Sequence, residues 1–90
     1  MNPDSHQETL SSMHSLLSTE FLPDLLEIAN DSERYKNHRE ARNNPNKGHF
    51  LLKIRSVAFR GKTRVQQHRM IYTCLSPIMD RIHALNILIL

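Results

Sequence analysis

Four of the six histidines stand where their chemistry could be used. His49 opens an alternating stretch, Gly48-His49-Phe50-Leu51-Leu52-Lys53-Ile54-Arg55. His68 lies in Gln67-His68-Arg69-Met70-Ile71-Tyr72, His83 in Ile82-His83-Ala84-Leu85, and His38 in a long polar segment. Imidazole is the side chain best suited both to binding metal and to changing charge near neutral pH. A second set is cationic: Arg60, Lys62, Arg64 and Arg69, with Lys53 and Arg55 upstream. Such a patch contacts phosphates mainly, which gives strongly salt-dependent binding to nucleic acid.

The elements that must position these residues follow from periodicity and caps. Ser5-His6-Gln7-Glu8 has the Ser-x-x-Glu spacing that satisfies free amides at a helix start. Leu10, Met13, Leu17 and Phe21 recur at helical spacing with Leu16 beside them, and the helix is expected to end near Ser18, before Pro23. Leu25–Ala29 reads as a short strand, closed by the turn-formers Asn30-Asp31-Ser32. Residues 32–48 form a long polar hairpin loop, dense in turn residues at its end. The second strand puts Phe50, Leu52 and Ile54 on one face and Leu51, Lys53 and Arg55 on the other. Phe59-Arg60-Gly61-Lys62 is a turn in which Gly61 is free to take a positive φ.

Thr63-Arg64-Val65-Gln66 is a second capping box. Val65, His68, Ile71, Tyr72 and Leu75 then line the expected buried face of a helix, until Ser76-Pro77 stops it and starts another short one. Ala84–Leu90 is apolar almost throughout, as expected of a strand with little solvent contact, or of an edge covered by a partner if no tail follows. The order is α-β-β-α-α-β in the α/β class, of α+β type, with helices packed on a three-stranded mixed sheet. The first two strands make an antiparallel hairpin. The third returns through helices and should lie parallel to the second by a right-handed crossover. Parallel strands start at the same sheet end, so His83 is expected near His49 and near the loop that holds His38.

Ninety residues make a single domain, 1–90, with residues 1–4 expected to be disordered. No apolar run approaches the roughly 20 residues that span a bilayer, so no membrane role is expected. The polar, acidic N-terminus resembles no signal or transit segment. One cysteine, Cys74, excludes an intrachain disulfide and suits a reducing compartment. The expected location is the cytoplasm. Charge is uneven: residues 1–32 hold Asp4, Glu8, Glu20, Asp24, Glu27 and Asp31 and no Lys or Arg, whereas all twelve Lys and Arg lie in residues 33–90. The basic half can attract phosphate or an acidic partner, or it is simply a solvated surface. There is no Gly-rich phosphate loop, no paired carboxylate in a cleft and no nucleophile with a recognisable base, so no enzyme activity is expected.

The ordered set His49-Phe50, Phe59-Arg60-Gly61, His68-Arg69 and His83-Ala84-Leu85 resembles the BolA family, over nearly the whole chain from about Leu10 to Leu88. His68-Arg69-Met70-Ile71-Tyr72 is similar to the bacterial members. The resemblance implies a class II KH-like fold, in agreement with the element order. It also implies two activities. One is pairing with a monothiol glutaredoxin around a shared [2Fe-2S] cluster, in iron–sulfur trafficking or iron homeostasis. The other is stress-response transcription control through a helix-turn-helix-like DNA-binding surface. The implied cluster ligands are His83 and a His or Cys of the hairpin loop, with the remaining ligands from the glutaredoxin and glutathione; the isolated protein would hold no cluster tightly. The usual loop position falls on Tyr35, and some members carry two histidines at a spacing that makes His38 the natural substitute. The acidic or hydroxyl residue usual before His-Phe is replaced by Gly48.

Each candidate has a plainer alternative. His83 could be a capping or partly buried structural histidine, and His38 a solvated one. His49 is expected to orient a neighbouring ligand, as is Tyr35, rather than to bind directly. His68 is expected to be a satisfied core histidine. An all-histidine zinc site from His38, His49 and His83 lacks thiolates and a local ligand pair. Arg60, Lys62, Arg64, Arg69, Lys53 and Arg55 would contact double-stranded DNA. A KH-type RNA clamp needs a GxxG loop, and the only glycines are Gly48 and Gly61. Cys74 is expected to pack towards the first helix rather than to react. The chain is expected to be a monomer or a weak homodimer.

Overall fold

The computed structural model describes residues 5–30 and 48–90. The expectations for residues 1–4 and for the loop carrying Tyr35 and His38 lie outside the described residues. Helix α1 spans Ser5–Phe21, strand β1 Leu25–Asn30, strand β2 Gly48–Arg55, helix α2 Arg64–Leu75 and strand β3 Ile82–Ile89. A 3₁₀ turn at Val57–Phe59 follows β2, and a 3₁₀ helix at Ser76–Arg81 joins α2 to β3. The fold is α+β with a three-stranded mixed sheet in the order β1-β2-β3. β1 and β2 are antiparallel, and β2 and β3 are parallel, as the element order requires.

Helix α1 runs to Phe21, three residues beyond the expected end at Ser18. The extension carries Phe21 into the core, 5% exposed and stacked on Phe59 with ring centroids 4.8 Å apart. The Phe21 carbonyl, left without an intrahelical donor at the helix end, accepts a 2.6 Å hydrogen bond from Ser56 Oγ. Leu22 then takes a left-handed φ of 44°, and its amide bonds back to the Ser18 carbonyl before Pro23 prevents continuation.

The helix-facing side of the sheet is Phe50, Leu52 and Ile54 from β2, flanked by Leu26, Ile28, Leu85, Ile87 and Ile89. These close over Met13, Leu17, Phe21, Phe59, Ile71 and Leu75. The α2 capping box is present in full: Thr63 Oγ1 accepts from the Gln66 amide, and Gln66 Oε1 accepts from the Thr63 amide.

The face that α2 buries differs from the expected one. Val65 is 59% exposed and Tyr72 39%, while Met70 and Cys74 join Ile71 and Leu75 against the core. The true stripe, Gln67-Met70-Ile71-Cys74-Leu75, contains a polar amide and a small thiol. Gln67 earns its place by donating to the Phe59 carbonyl at 3.0 Å.

Strand β3 also departs from expectation. It starts two residues earlier, at Ile82, and its burial alternates instead of being continuous. Among the described residues it is an edge strand with helices on one face only, so Ala84, Asn86 and Leu88 are exposed despite their apolar neighbours. Gly48, expected as the last residue of the loop, is instead the buried first residue of β2.

Candidate functional site

The parallel pairing of β2 and β3 brings their starts to one end of the sheet. Gly48 pairs with Ile82 and His49 with Ala84, so His83 is the extra residue of a register shift. A bulge of this kind re-aims a side chain. Across it the inward-facing positions change parity, from the buried Ile82 to Leu85, Ile87 and Ile89. The result is a pair of imidazoles: the His49 and His83 rings lie 4.9 Å apart, edge to face at 64°. His49 is 7% exposed and His83 is half-buried, so His83 is the more accessible of the two. The expected proximity of these two histidines is therefore present. Among the described residues, no group of three or more His, Cys, Asp or Glu side chains could hold a metal ion by itself.

A further histidine that the sequence did not single out stands at the same end. His6, in the first turn of α1, packs edge-on against Phe50 at 6.2 Å and 82°. Its Nε2 is buried, with no hydrogen-bond partner among the described residues. It lies over Gly48, where a Cβ would come within 3.3 Å of the His6 ring and 2.6 Å of two Phe50 ring carbons. The signal in the sequence was Gly48 itself, a residue without a side chain immediately before His49.

His68 is not the core histidine expected. It is half-buried on the flank of α2, because the buried stripe of that helix is rotated towards Met70 and Cys74. Cys74 faces α1 as expected, with Sγ 3.3 Å from the Leu16 carbonyl oxygen. Burial pushes its thiol pKa up, and Glu20 nearby adds to the shift.

The cations do not form one patch. Arg55, Arg60 and Lys62 surround a cleft of about 380 Å³ beyond the end of β2, and Arg55 is held there by Asp24 Oδ2 at 3.0 Å. This exposed ion pair contributes little to stability. Arg64 is exposed in the first turn of α2, and Arg69 borders a separate groove of about 670 Å³ between α1 and α2. Lys53 lies on the open sheet face with Glu27 and Leu51. Arg60, Lys62 and Arg64 thus share one turn, with Arg55 across the cleft from it and paired to Asp24, while Arg69 and Lys53 lie in other surroundings.

This arrangement of strands and helices recurs in solved structures. The BolA domain of SufE1 from Arabidopsis thaliana superposes with a TM-score of 0.74 at 33% identity, covering 88% of this chain and 86% of that one. BolA1 from the same plant gives 0.73 at 33% identity with the same coverage. The UV-induced protein uvi31 of Schizosaccharomyces pombe is 35% identical over 78 residues, 83% of this chain and 76% of that protein. The BolA-like protein family model matches residues 17–90, which takes in the His49–His83 pair, the Arg60–Arg64 turn, the end of α1 and every element after it. On the strength of that match and those relatives, the chain belongs to the BolA-like family.

Proposed function

We propose that this protein is a non-enzymatic adaptor that joins a monothiol glutaredoxin around a shared [2Fe-2S] cluster, in iron–sulfur trafficking or iron homeostasis. The observation that carries the reading is the His49–His83 pair at the common start of β2 and β3. His83, on its bulge and half-buried, is the ligand that a partner could reach. His49 lies against it, buried, and fixes the ring's orientation as outer-shell partners do for ligating imidazoles. His38 is the second ligand on this reading, with Tyr35, three residues before it, as a supporting outer-shell residue. Imidazoles can replace thiolates on one iron of such a cluster, so two histidines suit half of a shared site. The remaining ligands come from the glutaredoxin and from glutathione. Reconstitution with a monothiol glutaredoxin and glutathione, followed by visible circular dichroism, tests the assignment. The His83→Ala spectrum is expected to differ from wild type, and an identical spectrum rejects His83 as a ligand.

A second reading, stress-linked DNA binding, is favoured by the joint exposure of Arg60, Lys62 and Arg64 at the turn into α2. The name of the UV-induced relative bears on the stress link of this reading. Phosphate contacts by these side chains would make binding fall steeply with salt. In a retardation assay at physiological salt, Lys62→Glu with Arg64→Glu is expected to abolish the shift. Wild type binding no better than that variant rejects the reading.

A further inference from the structure

The outer side of β3 is a sheet edge, and no described strand pairs with it. The Leu90 amide donates to the Ile54 carbonyl on the β2 side. Alternate residues of a strand turn their amides to opposite sides, so Leu88, Asn86 and Ala84 also face β2, while the backbone groups of Leu85, Ile87 and Ile89 face outward. Natural edges of this length are normally blunted by charge or proline, because an open ladder recruits another strand. From Ile82 to Leu90 there is no Lys, Arg, Asp, Glu or Pro. The opposite edge, β1, carries Glu27 in its centre and follows Pro23 and Asp24. It is guarded where β3 is not.

The β3 sequence is also complementary to itself. Reversed about Asn86, it places Leu85 opposite Ile87, Ala84 opposite Leu88 and Ile82 opposite Leu90, with Asn86 opposite Asn86. Leu85 and Ile87 lie on the helix-facing side, partly buried against the core. On the open face, a small Ala84 meets a large Leu88 that is 47% exposed in the single chain. No like charges meet anywhere in this register. Its hydrogen-bonded positions fall on Leu85 and Ile87, whose backbone groups face outward, so the ladder and the side-chain pairing agree.

We propose that β3 is an interaction edge for a second copy of this chain, pairing antiparallel about Asn86 into one continuous six-stranded sheet. The contact is isologous, as a two-fold interface requires. His83 stands opposite Ile89 of the second copy, so the two histidine pairs lie away from the two-fold axis at opposite sides of the joined sheet. The open face of each sheet continues into the other.

The test uses sedimentation equilibrium of the full chain over a wide concentration range. Wild type is expected to show a concentration-dependent monomer–dimer equilibrium. Asn86 is exposed and outside the core, so its variants should fold. Asn86→Asp and Asn86→Lys each place like charges face to face across the axis, and each is expected to raise the dimer dissociation constant by about tenfold or more. Mixing the two variant chains should restore association. A wild type that stays monomeric at millimolar concentration overturns the proposal, as does a dimer indifferent to both substitutions. Failure of the mixed variants to associate better than either alone overturns the register about Asn86. Association only with an added foreign β-strand peptide would assign the edge to a different partner and reject the self-pairing.

Discussion

At the scale of single residues, Gly48 and Cys74 carry opposite lessons. Gly48 must lack a side chain because the Phe50 ring occupies the place of its Cβ at 2.6 Å. Phe50 is 2% exposed and held between His6 and the core, so it cannot swing away. Gly48→Ala is therefore expected to cost about 1–3 kcal/mol of stability, the usual range for overpacking. It should also shift the ring resonances of His49 and His83, read by NMR of the histidine side chains. An unchanged melting curve would show that the strand start yields more easily than this packing implies. Cys74 is the reverse case, a reactive group kept quiet. Its thiol pKa is raised by burial and then by Glu20. The thiolate is accordingly scarce at neutral pH, and alkylation by iodoacetamide should be slower than for a free cysteine, accelerating only above the thiol's ordinary range. Because the folded-state value lies above the unfolded one, the associated stability is intact at neutral pH and is lost as pH rises through the folded value.

Among the elements, the clearest mismatch between local preference and context is at the end of α1. Leu22 holds a left-handed φ of 44° while 82% exposed, so its side chain gains little from packing. Glycine takes this conformation without the Cβ penalty. Leu22→Gly is expected to raise stability by about 1 kcal/mol, the cost of the left-handed conformation for an L-residue, seen as a higher urea midpoint with unchanged slope. A lower midpoint would mean that Leu22 makes contacts that its exposure conceals.

The same helix shows what a sequence can and cannot disclose. Its stripe of Met13, Leu17 and Phe21 was legible because every member is large and apolar. The end at Phe21 was not, since it depends on Ser56 from a distant turn reaching the last carbonyl. In α2, the capping box was legible at Thr63 and Gln66 because it is local. The inward face was misread because Gln67 and Cys74 are partly buried for tertiary reasons, while Val65 and Tyr72 are apolar but exposed. The nearness of His49 and His83 was legible because it follows from strand direction; the bulge that brings their rings together was not. His6 was not, because nothing local reports which residue will cover a glycine on another element.

On the scale of the molecule, the two candidate surfaces occupy opposite ends of β2. The histidine pair sits at its start and the Arg60–Lys62–Arg64 turn follows its end. Six residue steps separate His49 from Arg55, a span of roughly 20 Å at about 3.3 Å per residue. That exceeds the roughly 8 Å screening length at physiological salt, so charge changes at one end should hardly be felt at the other. Between the ends runs a packed core in which Leu52 and Ile54 are fully buried, and that core gives both surfaces a common rigid frame. The two activities are therefore expected to be separable. Charge reversal at Lys62 and Arg64 should abolish any DNA retardation and leave the circular dichroism of a reconstituted cluster unchanged. His83→Ala should alter the cluster spectrum and leave DNA affinity and its salt slope within error of wild type. Because sites farther apart than about 10 Å combine additively, the triple variant should show both losses and nothing more. A measurable effect of His83→Ala on the salt slope would mean that one partner spans the whole length of β2, and the two surfaces would then have to be treated as a single interface.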